Sequence, residues 1–262
     1  MPPVDNATRA PALFLLAHHD DEVFCAGHLA HVLREGRPVW LLWATAGGLA
    51  PARRRIAEGE RVRRLLALPE TQAQSLSLPD QEALLHLPEI EREAERLLAL
   101  MRADTAASTD AAERLELYVP AYEGGHPDHD AVNLVAAQLR ARHDHVSVIE
   151  FPLYRRRAAW VTVQSGTPAS GATPNHAALW LDDEALALRR RLALANASQL
   201  LVSLAPLLVL AAWAGRGRAE PARPLPAHAY TLPPAPRPLL YELYTRRRFS
   251  SFRAAAAAYL SP

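Results

Sequence analysis

The chain predicts an α/β fold with a mostly parallel sheet flanked by helices, and three consecutive stretches carry that expectation. Leu13–Ala17 is an unbroken apolar run of strand length. Phe24–Glu35 places Leu29, Val32 and Leu33 at helical spacing and stops at Gly36, and Val39–Ala44 is a second apolar run. Strand, helix and strand within about thirty residues form a βαβ unit, which needs parallel strands. Ala52–Leu68 and Pro88–Met101 read as further helices, Leu117–Pro120 as a strand, Asp130–Arg142 as a helix and Val146–Tyr154 as another strand. Beyond these, Trp160–Trp180 reads as extended strands or a surface excursion. Leu181–Ala214 is mostly helical apart from Pro206, and Gly215–Pro238 is a Pro-, Arg- and Gly-rich covering loop. At 262 residues one domain accounts for the whole chain, residues 1–262, with a core over about 11–155 and a C-terminal elaboration over about 156–262.

Composition narrows the function classes. The net charge is +1, and all 29 residues counted as lysine or arginine are arginine. Nothing here has the basic excess of a nucleic-acid binder. Cys25 is the only cysteine, which excludes an internal disulfide and a structural cysteine-ligated zinc. Met1–Ala12 holds no apolar core of the length a secretory signal needs, so a reducing cytoplasm is the expected compartment. Leu200–Trp213 is apolar but interrupted by Ser203 and Pro206, and it is shorter than the roughly 20 residues of a spanning helix. A buried helix is expected there rather than a membrane anchor.

The chemistry concentrates in two clusters. Ala17-His18-His19-Asp20-Asp21-Glu22 follows the first strand directly, and adjacent carboxylates repel unless a cation offsets them. His18 and Asp21 supply nitrogen and oxygen donors, and Asp20 between them is free to handle protons. The second cluster, Tyr122 to Asp130, contains His126-Pro127-Asp128-His129 and supplies the missing ligand. Both clusters lie after the C-terminal ends of strands, where open parallel sheets place ligand sites. No G-x-G-x-x-G turn follows the first strand, so nothing supports nicotinamide binding.

With these residues the chain resembles the LmbE/PIG-L-like deacetylases, zinc-dependent enzymes that remove acetyl groups from N-acetylglucosamine-type sugars. The family's Ala-His-Pro-Asp-Asp-Glu motif stands here as Ala17–Glu22 with His19 in place of proline, and its His-Pro-Asp-His motif is intact at His126–His129. Thr45-Ala46-Gly47, Arg55 to Glu58, Leu76 to Asp80, Ala197-Ser198-Gln199 and Leu240-Tyr241-Glu242 resemble weaker family patterns. The resemblance implies a Rossmann-like α/β domain with His18, Asp21 and His129 as ligands of Zn2+, a donor set that accepts Fe2+ equally. It implies Asp20 as general base toward a water activated by the metal, and His126 as the group that stabilises the oxyanion or protonates the departing amine. Arg55 and Asp80 would hold the sugar. Arg55 has a competing reading as part of a solvated helix face with Arg53 and Arg54, and Asp80 as a turn residue. His19 is expected outside the ligand set.

The expected partner is a small amino-sugar substrate, with neither nucleic acid nor membrane. Whether the chain acts alone or as a homo-oligomer is open. Two other functions stay in view: an amidase acting on a thiol-sugar conjugate, and a non-catalytic module that binds metal or sugar. Retention of Asp20 argues against the module, because a binding site needs no base.

Overall fold

A computed structural model describes residues 10–48, 50–105, 114–158, 160–164, 178–199 and 218–261. Five parallel strands, β1 (Ala12–Leu16), β2 (Val39–Thr45), β3 (Ala73–Leu78), β4 (Leu115–Pro120) and β5 (Val146–Phe151), lie side by side in the order β5-β4-β1-β2-β3. Strand β1 is buried at every position, as expected for a central strand covered on both faces. Alternation along it splits the core. Leu13 and Leu15 pack toward helices α3 (Leu87–Thr105) and α4 (Pro127–Arg142). Phe14 and Leu16 pack toward α1 (Ala26–Arg34) and α2 (Ala52–Leu65).

The chain winds outward from β1 through β2 to β3, then returns to place β4 on the other side of β1. Leu13 is in register with Trp40 on one side and Leu117 on the other. The strand order reverses between β1 and β4, and the loops leaving their C-terminal ends diverge to opposite faces. They open a crevice there. Both sequence clusters leave the sheet at this crevice.

The C-terminal elaboration supplies an antiparallel hairpin, β6 (Tyr154–Arg157) and β7 (Trp160–Val163), then β8 (Ala178–Trp180), helix α5 (Asp183–Ala195), β9 (Ala219–Pro221), β10 (Arg223–Pro224) and two closing helices, α6 (Leu240–Tyr244) and α7 (Phe249–Leu260). Strand β10 pairs antiparallel with β5 at the sheet edge, and β8 pairs with β9.

Several sequence expectations need correction. The helix expected from Asp130 begins at Pro127, with His126 as its N-cap, so His129 sits in the first helical turn and not in a loop. Proline at the first helical position has no N–H to leave unpaired, so the motif itself starts the helix. The helix expected from Phe24 begins at Ala26, after a short 3-10 turn over Asp21–Val23. Strand β3 was not expected, because its alternation of Gln and Ser with small apolar residues lacks the apolar run of its neighbours. The span from 215 to 238 is not wholly irregular, since β9 and β10 fall within it. The apolar stretch Leu200–Trp213 lies outside the described residues. Among the described residues, no helix is long and apolar enough to cross a membrane.

Candidate metal and catalytic site

The backbone after β1 is held in shape by its own acids. Asp21 Oδ2 accepts hydrogen bonds from the backbone N–H of Ala17 and of His18, both at 2.9 Å. Glu22, fully buried, accepts from the Asp20 N–H at 3.0 Å, the Trp43 indole at 3.3 Å and the Asn196 side chain. The turn forces Asp20 into the left-handed region, at φ 113°. A non-glycine residue rarely stays there unless its surroundings fix it.

This turn brings three donors together across the crevice. His18 Nδ1 lies 3.2 Å from His129 Nε2 and 3.7 Å from Asp21 Oδ1, and His129 Nε2 lies 3.1 Å from the same carboxylate oxygen. Four-coordinate zinc with bonds near 2.0–2.1 Å sets its ligand atoms roughly 3.3 Å apart. The residues present fit such an ion in spacing and in donor type. The tautomer also fits. His18 Nε2 is 3.2 Å from Asp128 Oδ2, an acceptor, so a neutral His18 would keep its proton on Nε2 and present the Nδ1 lone pair. Asp128 is itself pinned by the N–H groups of Gln81 at 2.7 Å and Ala83 at 3.1 Å.

Electrostatics follow the same lines. Burial penalises charge throughout the cluster, yet hydrogen bonds to Asp128, Asp21 and Asp80 hold His18 well above its ordinary pKa. Asp21 is likewise buried but stays well below the carboxylate range because His129 and His18 face it. Asp20 goes the other way: burial pushes it up to about 8, with Arg55 opposing. Burial and the neighbouring His18 bring His126 down to about 3. His126 Nδ1 accepts the Asp128 N–H at 3.3 Å, so the proton of the neutral ring sits on Nε2. That nitrogen lies 3.8 Å from Asp80 Oδ1.

Arg55 is fully buried, which removes the solvated-face reading. Its guanidinium bonds Asp20 Oδ1 at 2.9 Å, Glu58 Oε2 at 2.7 Å, Ala46 O at 3.2 Å and Ser198 Oγ at 3.3 Å. In this arrangement it orients Asp20, and its edge reaches the cleft. Asp80 lies 3.5 Å from His18 Nε2 and also lines the cleft. Gly48 makes that approach feasible, because a Cβ there would stand 2.6 Å from Asp80 Oδ2. His19 stays outside the ligand set: it stacks on Trp43 at 4.6 Å and bonds Ser75 Oγ at 3.1 Å.

The cleft has a volume of about 520 Å³, within the range of small-molecule sites. Its floor is His18, Asp20, Asp21 and His126. Its far wall comes from the C-terminal elaboration, with Tyr154, Val161, Leu240 and Tyr244. Sequence reasoning assigned no role to Asp128 or to these wall residues. Asp128 sat inside a motif already singled out, whereas the wall residues belong to no motif.

The family model described as PIG-L, GlcNAc-PI de-N-acetylase, matches residues 13–139. No curated protein matches the chain significantly. A deacetylase of the teicoplanin biosynthesis pathway shares 15% identity, with a TM-score of 0.53 over 82% of this chain and 97% of that one. A triple mutant of a deacetylase from that pathway gives 16% identity and a TM-score of 0.54, with the same coverage. The A40926 pseudoaglycone deacetylase gives 19% identity and a TM-score of 0.50 over 84% of this chain and all of its own. At such identities the likeness concerns the fold, a central mostly parallel sheet between helices. Residues 13–139 thus match a PIG-L family domain.

Proposed function

We propose that the protein is a metal-dependent amide hydrolase that removes the acetyl group from an N-acetylated amino sugar or a conjugate of one. The observation that carries this reading is the set His18, Asp21 and His129 at mutual distances of 3.1–3.7 Å, with His18 and Asp21 on the floor of a cleft that also holds Asp20 and His126. A base and a proton donor beside three ligand atoms serve hydrolysis, while a purely structural site would be closed and would need neither.

His18, Asp21 and His129 would hold a zinc or ferrous ion, which when bound would polarise the amide carbonyl and ease deprotonation of water. Asp20, steadied by Arg55, takes the proton from the attacking water. The water oxygen forms the new bond to the carbonyl carbon, and the developing charge on the carbonyl oxygen faces His126 Nε2–H. As the C–N bond breaks, the nitrogen takes from Asp20 the proton that Asp20 accepted from water. Acetate and a free amine result. Asp80, the Gln81 side chain and the backbone at Gly47 and Gly48 form the polar side of the cleft, suited to sugar hydroxyls.

The test is acetate release from a panel of N-acetylglucosamine conjugates by protein of known metal content, before and after chelation. About one ion per chain and chelator-sensitive release are expected. Bound metal with cleavage of a cysteinyl-sugar amide instead of acetate release would transfer the reading to thiol-sugar conjugates. Equal turnover after complete metal removal would overturn it.

A further inference from the structure

We propose that Tyr154 is a second hydrogen-bond donor to the amide oxygen of the substrate, built into the site by the residues that precede His126. The inference rests on the amide-hydrolase reading above. Tyr154 opens β6, immediately beyond the sheet, and lines the cleft together with His18 and Asp21. Its ring meets the His129 imidazole edge-on at 5.4 Å, so Tyr154 and His126 flank the same histidine.

The segment Glu123-Gly124-Gly125 has no role in the floor itself, yet it fixes Tyr154 in three ways. Glu123 Oε1 accepts the backbone N–H of Leu153 at 2.7 Å and that of Tyr154 at 2.8 Å. Gly125 lets the strand approach, because a Cβ there would stand 2.0 Å from the Tyr154 carbonyl oxygen. Tyr244 donates its hydroxyl proton to Gly125 O at 2.8 Å, which ties the closing helix to the same glycine that lets Tyr154 approach.

A hydroxyl hydrogen rotates freely about its C–O bond, so the Tyr154 proton can turn toward a carbonyl oxygen that gains negative charge in the cleft. Two preset donors, His126 Nε2–H and the Tyr154 hydroxyl, then face the developing charge. Glu123 is a positioning residue for this arrangement, not a catalytic one.

The experiment uses the metal-loaded full chain with Tyr154→Phe, Glu123→Gln and the double variant. It reads turnover of N-acetylglucosamine and, separately, binding of methylphosphonate as a mimic of the tetrahedral oxyanion. Tyr154→Phe is expected to lower kcat by about 100-fold, the usual loss for one oxyanion donor. KM, metal content and Tm stay near wild type, and methylphosphonate binds at least about tenfold more weakly. Glu123→Gln lowers kcat less, and the double variant falls no further than Tyr154→Phe, since the two act through one hydroxyl. A Tyr154→Phe enzyme that keeps kcat and phosphonate affinity within twofold overturns the proposal, as does a change confined to KM. Wild-type protein that releases no acetate, but binds methylphosphonate in a Tyr154-dependent way, sinks the reaction reading and leaves the donor role standing.

Discussion

The floor and the wall of the cleft are built on opposite plans. The floor is polar, buried and tied to the sheet: His18 and Asp21 follow β1, His129 stands behind them in the first turn of α4, and Asp128 braces His18. The wall is apolar and partly exposed, with Val161 46% and Tyr244 53% accessible, and it rests on a hairpin and a five-residue helix. The contrast assigns metal binding and proton transfer to the rigid part, and substrate choice to Val161 and Leu240, which can vary without disturbing it.

Substitutions should separate the two. Asp20→Asn is expected to lower kcat by about 10²–10⁴-fold, the range for a lost general base, with metal content unchanged by elemental analysis. Turnover close to wild type would break the assignment of chemistry to the floor. Asp128→Asn should cost about 10–100-fold in metal affinity, read by competition with a chromogenic chelator, because the partner that fixes the His18 tautomer is lost. On the wall, Val161→Ser removes apolar surface worth about 1 kcal/mol, and should raise KM for a conjugate with an apolar aglycone about fivefold while kcat stays put. A fall in kcat instead would mean that Val161 takes part in the reaction.

The smallest effect concerns pH and the wall alone. Glu242 accepts the N–H groups of Leu239 at 2.9 Å and Phe249 at 3.0 Å, and pairs with Arg237 at 2.7 Å, so it anchors the helix carrying Leu240 and Tyr244. The Arg237 partner holds Glu242 down to about 2. A carboxylate with a lowered folded-state pKa stabilises the fold above its ordinary value near 4.5, and that stabilisation disappears as pH falls toward 2. Glu242→Gln should therefore lower stability by about 1–2 kcal/mol at pH 7. The gap to wild type, followed by urea denaturation, should close as the pH drops through that window. A gap independent of pH would mean that the wall does not hang on this charge.

The sequence disclosed the floor far better than the wall, for physical reasons. An uninterrupted apolar strand followed by densely packed acids and histidine is costly unless something offsets it, so Leu13–Ala17 and His18–Asp21 stand out. His129 was legible as a donor but not as a helical residue, because the N-terminal turn of α4 is written in the same letters as the metal motif. Asp128 looked like a spacer, since its work is done on backbone N–H groups of Gln81 and Ala83, 45 and more residues away. The Arg55 contact with Asp20 was illegible within the run Arg53-Arg54-Arg55, where only the fold decides which arginine turns inward. Val161, Leu240 and Tyr244 form a surface only after the C-terminal chain folds back, and no local spacing announces that.

Strand β1 emerges first in the chain but gains its second neighbour late, because β2 and β3 are laid down on one side before β4 arrives on the other. Until residues 115–120 exist, one edge of Ala-Leu-Phe-Leu-Leu is an open, wholly apolar template. Such edges recruit other chains. A polypeptide interrupted before β4 would thus carry two of the three residues proposed as ligands and no site, and its expected fate is aggregation rather than a half-active enzyme.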